Sequence, residues 1–247
     1  MEGVLHVDWQ PLDGSPEAVA RLRSAGVELA ILTNTTGRSR ASIAERLAEM
    51  GMSFPPERIV TAAHATALHV RSAHAGAAVY LLGERGAQPE FDGVRLVEDP
   101  ADADVVVVAG PSRAVDYPLL NRVFRALIDG RPLVAMQRNR WWPTARGPAM
   151  DAGGLVAALE YSADIQAEVV GKPSETIYRI ALDALGASPA EAVMVGDDLI
   201  SDLRPAAAMG MRTGLVRTGK GASMTPEPGE VSYDEPDLAR LADRLLS

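Results

Sequence analysis

Short runs of β-branched and aliphatic residues alternate along this chain with stretches rich in Ala, Leu and Arg. Val27–Leu32, Ile59–Thr61, Ala78–Leu82, Asp104–Ala109, Pro132–Met136, Glu168–Val170, Ala192–Val195 and Met211–Val216 read as strands. Between them the spacing predicts helices over Pro16–Ala25, Ser39–Met50, Ala62–Ala73, Pro118–Ile128, Leu155–Ser162, Ser174–Leu185 and Asp202–Met209, with Pro236–Leu246 closing the chain. Apolar strands separated by helix-length segments specify a largely parallel sheet covered by helices. At 247 residues there is room for one large α/β domain, or for a core with a smaller inserted domain.

Open parallel sheets present ligands at the carboxyl ends of their strands. Three predicted strand ends carry polar residues. Thr33-Asn34 follows the first strand, and Lys172 sits in Gly171-Lys172-Pro173-Ser174. The third end is Val195-Gly196-Asp197-Asp198, with Asp202 four residues beyond the pair. Each has an ordinary reading by itself: a strand-to-helix turn, a solvated lysine, an Asp-rich helix cap. Adjacent carboxylates, however, raise each other's pKa unless a cation lies between them. An octahedral Mg²⁺ with oxygen ligands is the usual cation for such a group. Together the three ends make a phosphoryl-transfer site, which needs hydrogen-bond donors and positive charge around the phosphoryl oxygens and a carboxylate-held metal.

Composition narrows the partners. A net charge of −9 and a pI near 5.0 argue against nucleic acid or anionic membranes. There is no cysteine, which excludes disulfides and thiolate metal sites. The four histidines, His6, His64, His69 and His74, show no ligand spacing, which argues against a histidine-based metal site. Apolar runs such as Val105–Ala109 are too short to span a bilayer. Met1-Glu2-Gly3 lacks the basic start of a secretory signal, so a cytoplasmic location is expected. Gly214–Gly221 approaches a nucleotide-binding P-loop, but glycine replaces the metal-holding hydroxyl residue and no predicted helix follows to cradle phosphate.

The order Thr-Asn, Gly-Lys-Pro, Gly-Asp-Asp resembles motifs two, three and four of the haloacid dehalogenase-like hydrolases. Leu32–Thr36, Val169–Ser174 and Val195–Asp202 fit the subclass with a large α/β cap between motifs two and three. Asn139–Trp142, Gly147–Gly153 and Val216–Lys220 extend the likeness over essentially the whole chain. It is similar to the group containing the phospholysine, phosphohistidine and inorganic pyrophosphate phosphatase. The resemblance implies a doubly wound, Rossmann-like α/β core at 1–68 and 168–247, with an inserted α/β cap at 69–167. It implies a Mg²⁺-dependent phosphatase acting on a small phosphorylated substrate, and a homodimer through the cap. Thr33, Asn34 and Lys172 would hold the phosphoryl group. Asp197 would bind the metal, while Asp198 and Asp202 order its water shell. Substrate choice would fall to the cap loop around Asp151. Trp141 and Trp142 are expected in the cap core.

In this family motif one is Asp-x-Asp-Gly or a variant, followed by Val/Thr-Leu, and its first Asp is the nucleophile. Glu2-Gly3-Val4-Leu5 fits the last four places, which puts the nucleophile one position before Met1. Glu2 then occupies the place of the second motif acid, a general acid/base in many members. The metal ligand from that place is its backbone carbonyl. Asp8 is the rival nucleophile, but it is followed by Trp9-Gln10-Pro11 and lies too near Thr33, and Asp13 reads as turn chemistry. If the sequence starts inside motif one, the 247-residue chain lacks both its nucleophile and a central strand. It is then expected to be inactive and weakly stable. The alternative is a pseudo-phosphatase that binds phosphorylated ligands without turnover.

Overall fold

The computed structural model describes every residue except Arg113, Ala145 and Arg146. The chain divides into two compact units: Met1–Thr33, Ala41–Val60 and Lys172–Ser247 form one, and Asn34–Arg40 with Thr61–Gly171 the other. Both are α/β, and in both the main ladders are parallel. Among the described residues no helix is long and apolar enough to cross a membrane.

In the first unit Ile31–Thr33 pairs with Ile59–Thr61, and Val193–Gly196, Arg212–Val216 and Tyr233–Glu235 form a parallel three-stranded ladder. Among the described residues no ladder joins these two pieces. The expected strand Val27–Leu32 is realised only at its end: residues 27–30 carry no ladder, and Val27 is exposed. Helix Ser15–Ser24 has Pro16 in its first turn and arginines in its last, each favourable at that end. Helix Leu238–Leu246 is capped by the Asp237 side chain, which accepts from Arg240 N at 2.8 Å. Its buried Leu238, Leu241 and Ala242 recur at i, i+3 and i+4 and pack with Ala18, Val19, Leu22, Ile43 and Leu47.

The second unit is built on a five-stranded parallel sheet in the order Glu168–Val169, Leu133–Ala135, Val105–Val108, Ala78–Leu82, Arg95–Val97. Ala78–Leu82 and Val105–Val108 are buried along their whole length, as strands covered on both faces must be. Helices Ala62–Ala73, Tyr117–Ile128 and Ala152–Ala163 belong to this unit. A hairpin, Trp141–Thr144 against Gly147–Met150, lies where the sequence pattern predicts no strand. Trp141 and Trp142 are 51% and 40% exposed, so they are not cap core: among the described residues the two-stranded ribbon has no further strand beside it, and it leaves them on its surface.

Candidate active site

The strand Val193–Gly196 delivers Asp197 and Asp198 to one end of the three-stranded ladder. The chain then winds through a wide helical turn, Leu199–Leu203, into helix Arg204–Ala208. Asp198 caps that turn, its Oδ1 accepting from Ile200 N at 2.9 Å and Ser201 N at 3.1 Å. The turn carries Asp202 back over Gly196, where a Cβ would lie 2.6 Å from the Asp202 Cβ. Only glycine permits that approach. All three acids are buried.

Two lysines meet them. Lys172 Nζ donates to Asp202 Oδ1 at 2.6 Å, and both side chains are about nine-tenths buried. Removing one partner of such a pair costs about 3–5 kcal/mol, because a buried charge is left uncompensated. Lys220 Nζ donates to Asp198 Oδ2 at 2.9 Å, and Lys220 N donates to Asp197 Oδ2 at 2.9 Å. Burial pushes the Asp198 carboxyl up, but the Lys220 ammonium and the Ser201 and Ile200 N–H groups outweigh it, leaving it below the usual range. Asp197 goes the other way: burial and the neighbouring Asp202 raise it, against the Lys220 N–H. Lys172 and the Met1 α-amino group act on Asp197 in the opposite, lowering sense. Tyr178 closes the arrangement, its hydroxyl donating to Ser201 O at 2.5 Å and also lying 3.1 Å from Asp202 O.

Lys220 and its loop are what the sequence reading missed. Two signals pointed to it: the discarded P-loop likeness at Gly219-Lys220-Gly221, and Val216–Lys220 as an extension of the family likeness. Here the Lys220 amide grips a carboxylate, and Thr218 Oγ1 donates to Gly3 O at 2.5 Å. Gly3 and Gly219 both press on Asp197: a Cβ at either would fall 2.1 or 2.4 Å from its Oδ2. Both have positive φ, +75° and +53°, which glycine adopts without strain.

The start of the chain lies in the same place. The Met1 α-amino group is buried among Lys172, Asp202 and Asp197, and burial together with Lys172 lowers its pKa. The Glu2 side chain turns elsewhere, accepting from Asp8 N at 2.8 Å and meeting His6 Nδ1 at 3.1 Å. Burial raises the Glu2 carboxyl, but His6 and the Asp8 N–H more than reverse this. A carboxyl held low is ionised near neutral pH and opposes a proton-donating role. Asp8 stands exposed beside the partly buried Trp9 at the tip of hairpin His6–Val7/Gln10–Pro11, both at positive φ. That is turn geometry, not a strand end.

Thr33 ends its strand buried in the first unit. Asn34, next in the chain, belongs to the second, where its Nδ2 lies 3.4 Å from Asn139 Oδ1. Asp151 also belongs there. It accepts from Gln137 Nε2 and from Ala152 N, both at 2.7 Å, and N-caps helix Ala152–Ala163.

A family model described as haloacid dehalogenase-like hydrolase matches residues 1–96, and a related hydrolase-like model matches 169–242. Haloacid dehalogenase-like hydrolase domain-containing protein 2 of Homo sapiens is 36% identical over 89% of this chain and 83% of its own length. The chain belongs to the haloacid dehalogenase-like hydrolases. It is also 34% identical to the phospholysine phosphohistidine inorganic pyrophosphate phosphatase of Xenopus laevis, over 96% of this chain and 87% of that one. Among solved structures, the p-nitrophenyl phosphatase from Archaeoglobus fulgidus aligns with a TM-score of 0.89 at 26% identity, covering 98% of this chain and 96% of that chain. NagD from E. coli K-12 aligns with a TM-score of 0.85 at 27% identity, covering 97% and 94%. These neighbours place the chain in the α/β-capped subclass of the family.

The donor set fits the divalent metal that hydrolases of this family use, usually Mg²⁺. Asp197, Asp198 and Asp202 offer oxygen alone, as a hard cation requires. Asp197, raised by burial and by Asp202, is the carboxylate such an ion would stabilise most.

Proposed function

We propose that this chain carries the site of a Mg²⁺-dependent phosphatase, in which an aspartate immediately ahead of Met1 attacks phosphorus. The observation that carries this reading is the convergence of Asp197, Asp198 and Asp202 with Lys172 and Lys220 around the backbone of Met1–Gly3. A residue attached to Met1 N would start from a buried amino group under the influence of Lys172, Asp202 and Asp197, where a nucleophile for a phosphoryl group belongs. Its carboxylate oxygen forms the bond to phosphorus, the ester oxygen leaves with the P–O electron pair, and water then hydrolyses the aspartyl-phosphate. Thr33 and Lys172 hold phosphoryl oxygens and balance their developing charge, with Asn34 assigned beside them by the family resemblance. Asp197 and the Glu2 carbonyl would hold Mg²⁺, and Asp198 and Asp202 would order its water shell. The metal, when bound, supplies positive charge against the phosphoryl oxygens.

We assign residues 1–68 and 168–247 to the catalytic core and 69–167 to a cap that selects the substrate through the loop around Asp151 and mediates a homodimer. The substrate is a small phosphate monoester, phosphoramidate or pyrophosphate. Calorimetric titration tests the site without requiring turnover. Mg²⁺ is expected to bind the 247-residue protein and to be lost in Asp197→Asn, and inorganic phosphate binding in the presence of Mg²⁺ is expected to fall in Lys172→Met. Unchanged Mg²⁺ binding in Asp197→Asn sinks the assignment. The same groups also support a pseudo-phosphatase, since they hold phosphate without a nucleophile. It is favoured if phosphate binds but a chain carrying the added aspartate does not turn over.

A further inference from the structure

The sequence spacing of the histidines carries no ligand signature, yet the fold of the second unit brings two of them onto one carboxylate. His69 lies near the end of helix Ala62–Ala73, and His74 is the residue that ends it, its N–H bonded to Val70 O. Glu168 stands in the edge strand Glu168–Val169 of the five-stranded sheet. His69 Nε2 lies 3.0 Å from Glu168 Oε2, and His74 Nε2 lies 4.0 Å from the same oxygen. One potential ligand atom from each of the three lies within 4.8 Å of the other two. The imidazole rings meet edge to face, with centroids 6.0 Å apart.

Both Nε2 atoms are buried, and neither has a hydrogen-bond partner among the described residues. The 3.0 Å contact is therefore close without being aligned as a hydrogen bond. Buried polar atoms left unbonded are costly and call for an explanation. A metal ion supplies one here. Tetrahedral Zn²⁺, with bonds of about 2.0–2.2 Å to nitrogen and carboxylate oxygen, sets its ligand atoms roughly 3.3–3.5 Å apart. The 3.0 and 4.0 Å separations bracket that value, so sub-ångström side-chain adjustments suffice.

We propose that His69, His74 and Glu168 form a binding site for a borderline divalent transition metal, zinc being the best match. Two imidazoles and one carboxylate suit Zn²⁺ or Cu²⁺ and disfavour Mg²⁺, which takes oxygen. The half-exposed Glu168 leaves a fourth position for water. Bound metal would staple the end of a helix to the sheet edge, on the strand that leads through Val170 and Gly171 to Lys172.

The test titrates ZnCl₂ into the 247-residue protein in excess MgCl₂, reading heat and the imidazole nitrogen resonances by long-range proton–nitrogen NMR. One zinc equivalent is expected to persist under excess Mg²⁺, with the His69 and His74 nitrogens shifting and those of His6 and His64 still. Glu168→Gln and His74→Gln are each expected to weaken binding at least tenfold while retaining the wild-type melting profile in EDTA. Zinc should raise the melting temperature of the wild type more than that of either variant. Absence of zinc binding, equal affinity in wild type and both variants, or zinc-dependent shifts confined to His6 and His64 overturns the proposal.

Discussion

Replacing Gly3 by alanine should damage the metal site and the fold by separable amounts. A Cβ there would lie 2.1 Å from Asp197 Oδ2 and 2.5 Å from its Cγ, and ordinary contact begins at 3.4 Å. The carboxylate must therefore retreat by about 3.4 − 2.1 = 1.3 Å, or the backbone must yield. Retreat strains the hydrogen bond from Lys220 N, one of the charge-assisted kind worth about 1.5–3 kcal/mol. The positive φ adds about 1–2 kcal/mol for any residue with a Cβ. Gly26 separates the two contributions: its φ is +80° and nothing lies within 4 Å, so Gly26→Ala carries the backbone cost alone. Urea denaturation should show a loss of about 1–2 kcal/mol for Gly26→Ala and about 3–5 kcal/mol for Gly3→Ala. Calorimetry should show Mg²⁺ affinity unchanged in the first and reduced at least tenfold in the second. Equal stability losses, or intact Mg²⁺ affinity in Gly3→Ala, would refute the view that Gly3 exists to admit the Asp197 carboxylate.

Tyr178→Phe deletes the hydroxyl contacts to Ser201 O and Asp202 O and should cost about 1–3 kcal/mol in thermal melts, without new bulk. Lys220→Met should raise the Asp198 pKa, read by carboxyl carbon NMR. Because folding depresses that pKa, its stabilisation is complete above the unfolded value and lost as pH falls through the folded one, so the variant should show a shallower acid limb. Glu90 in the second unit obeys the same sign. Burial raises its carboxyl, but His64 and both the amide and guanidinium of Arg40 bring it to about 2. Its contribution is therefore full above about 4.5 and disappears as pH falls toward about 2. Glu90→Gln should cost about 1.5–3 kcal/mol at pH 7 and remove that part of the acid sensitivity, followed by denaturation at stepped pH.

Strands buried on both faces were the most legible elements, because short apolar runs such as Ala78–Leu82 and Val105–Val108, set between helical stretches, fit the inner strands of a parallel sheet. Arg95–Val97 and Tyr233–Glu235 escaped notice because short edge strands carry mixed polarity. Pro143 and Pro148 obscured the Trp141–Met150 hairpin, since proline argues against a strand interior. Val27–Ala30 has strand composition but no ladder partner, which sequence composition does not reveal. In the candidate site the three acids and Lys172 were readable from strand-end logic. Lys220 was not, because its role depends on a loop folding back onto Asp197 rather than on any spacing. Asp151 was read as a specificity residue, and the structure shows the local reason for an acid there: it caps a helix and binds Gln137. His69, His74 and Glu168 are brought together by the sheet edge, across a separation no motif spans.

The most direct test of the central claim is phosphate release from p-nitrophenyl phosphate by two proteins, with and without Mg²⁺. One is the 247-residue chain; the other is the same chain preceded by a short apolar strand ending in aspartate directly before Met1. The account predicts Mg²⁺-dependent hydrolysis by the extended protein alone, slower by on the order of 10⁴-fold or more in the 247-residue chain, as loss of a catalytic nucleophile requires. Equal turnover by both proteins would contradict it, because the attacking group would then lie within residues 1–247.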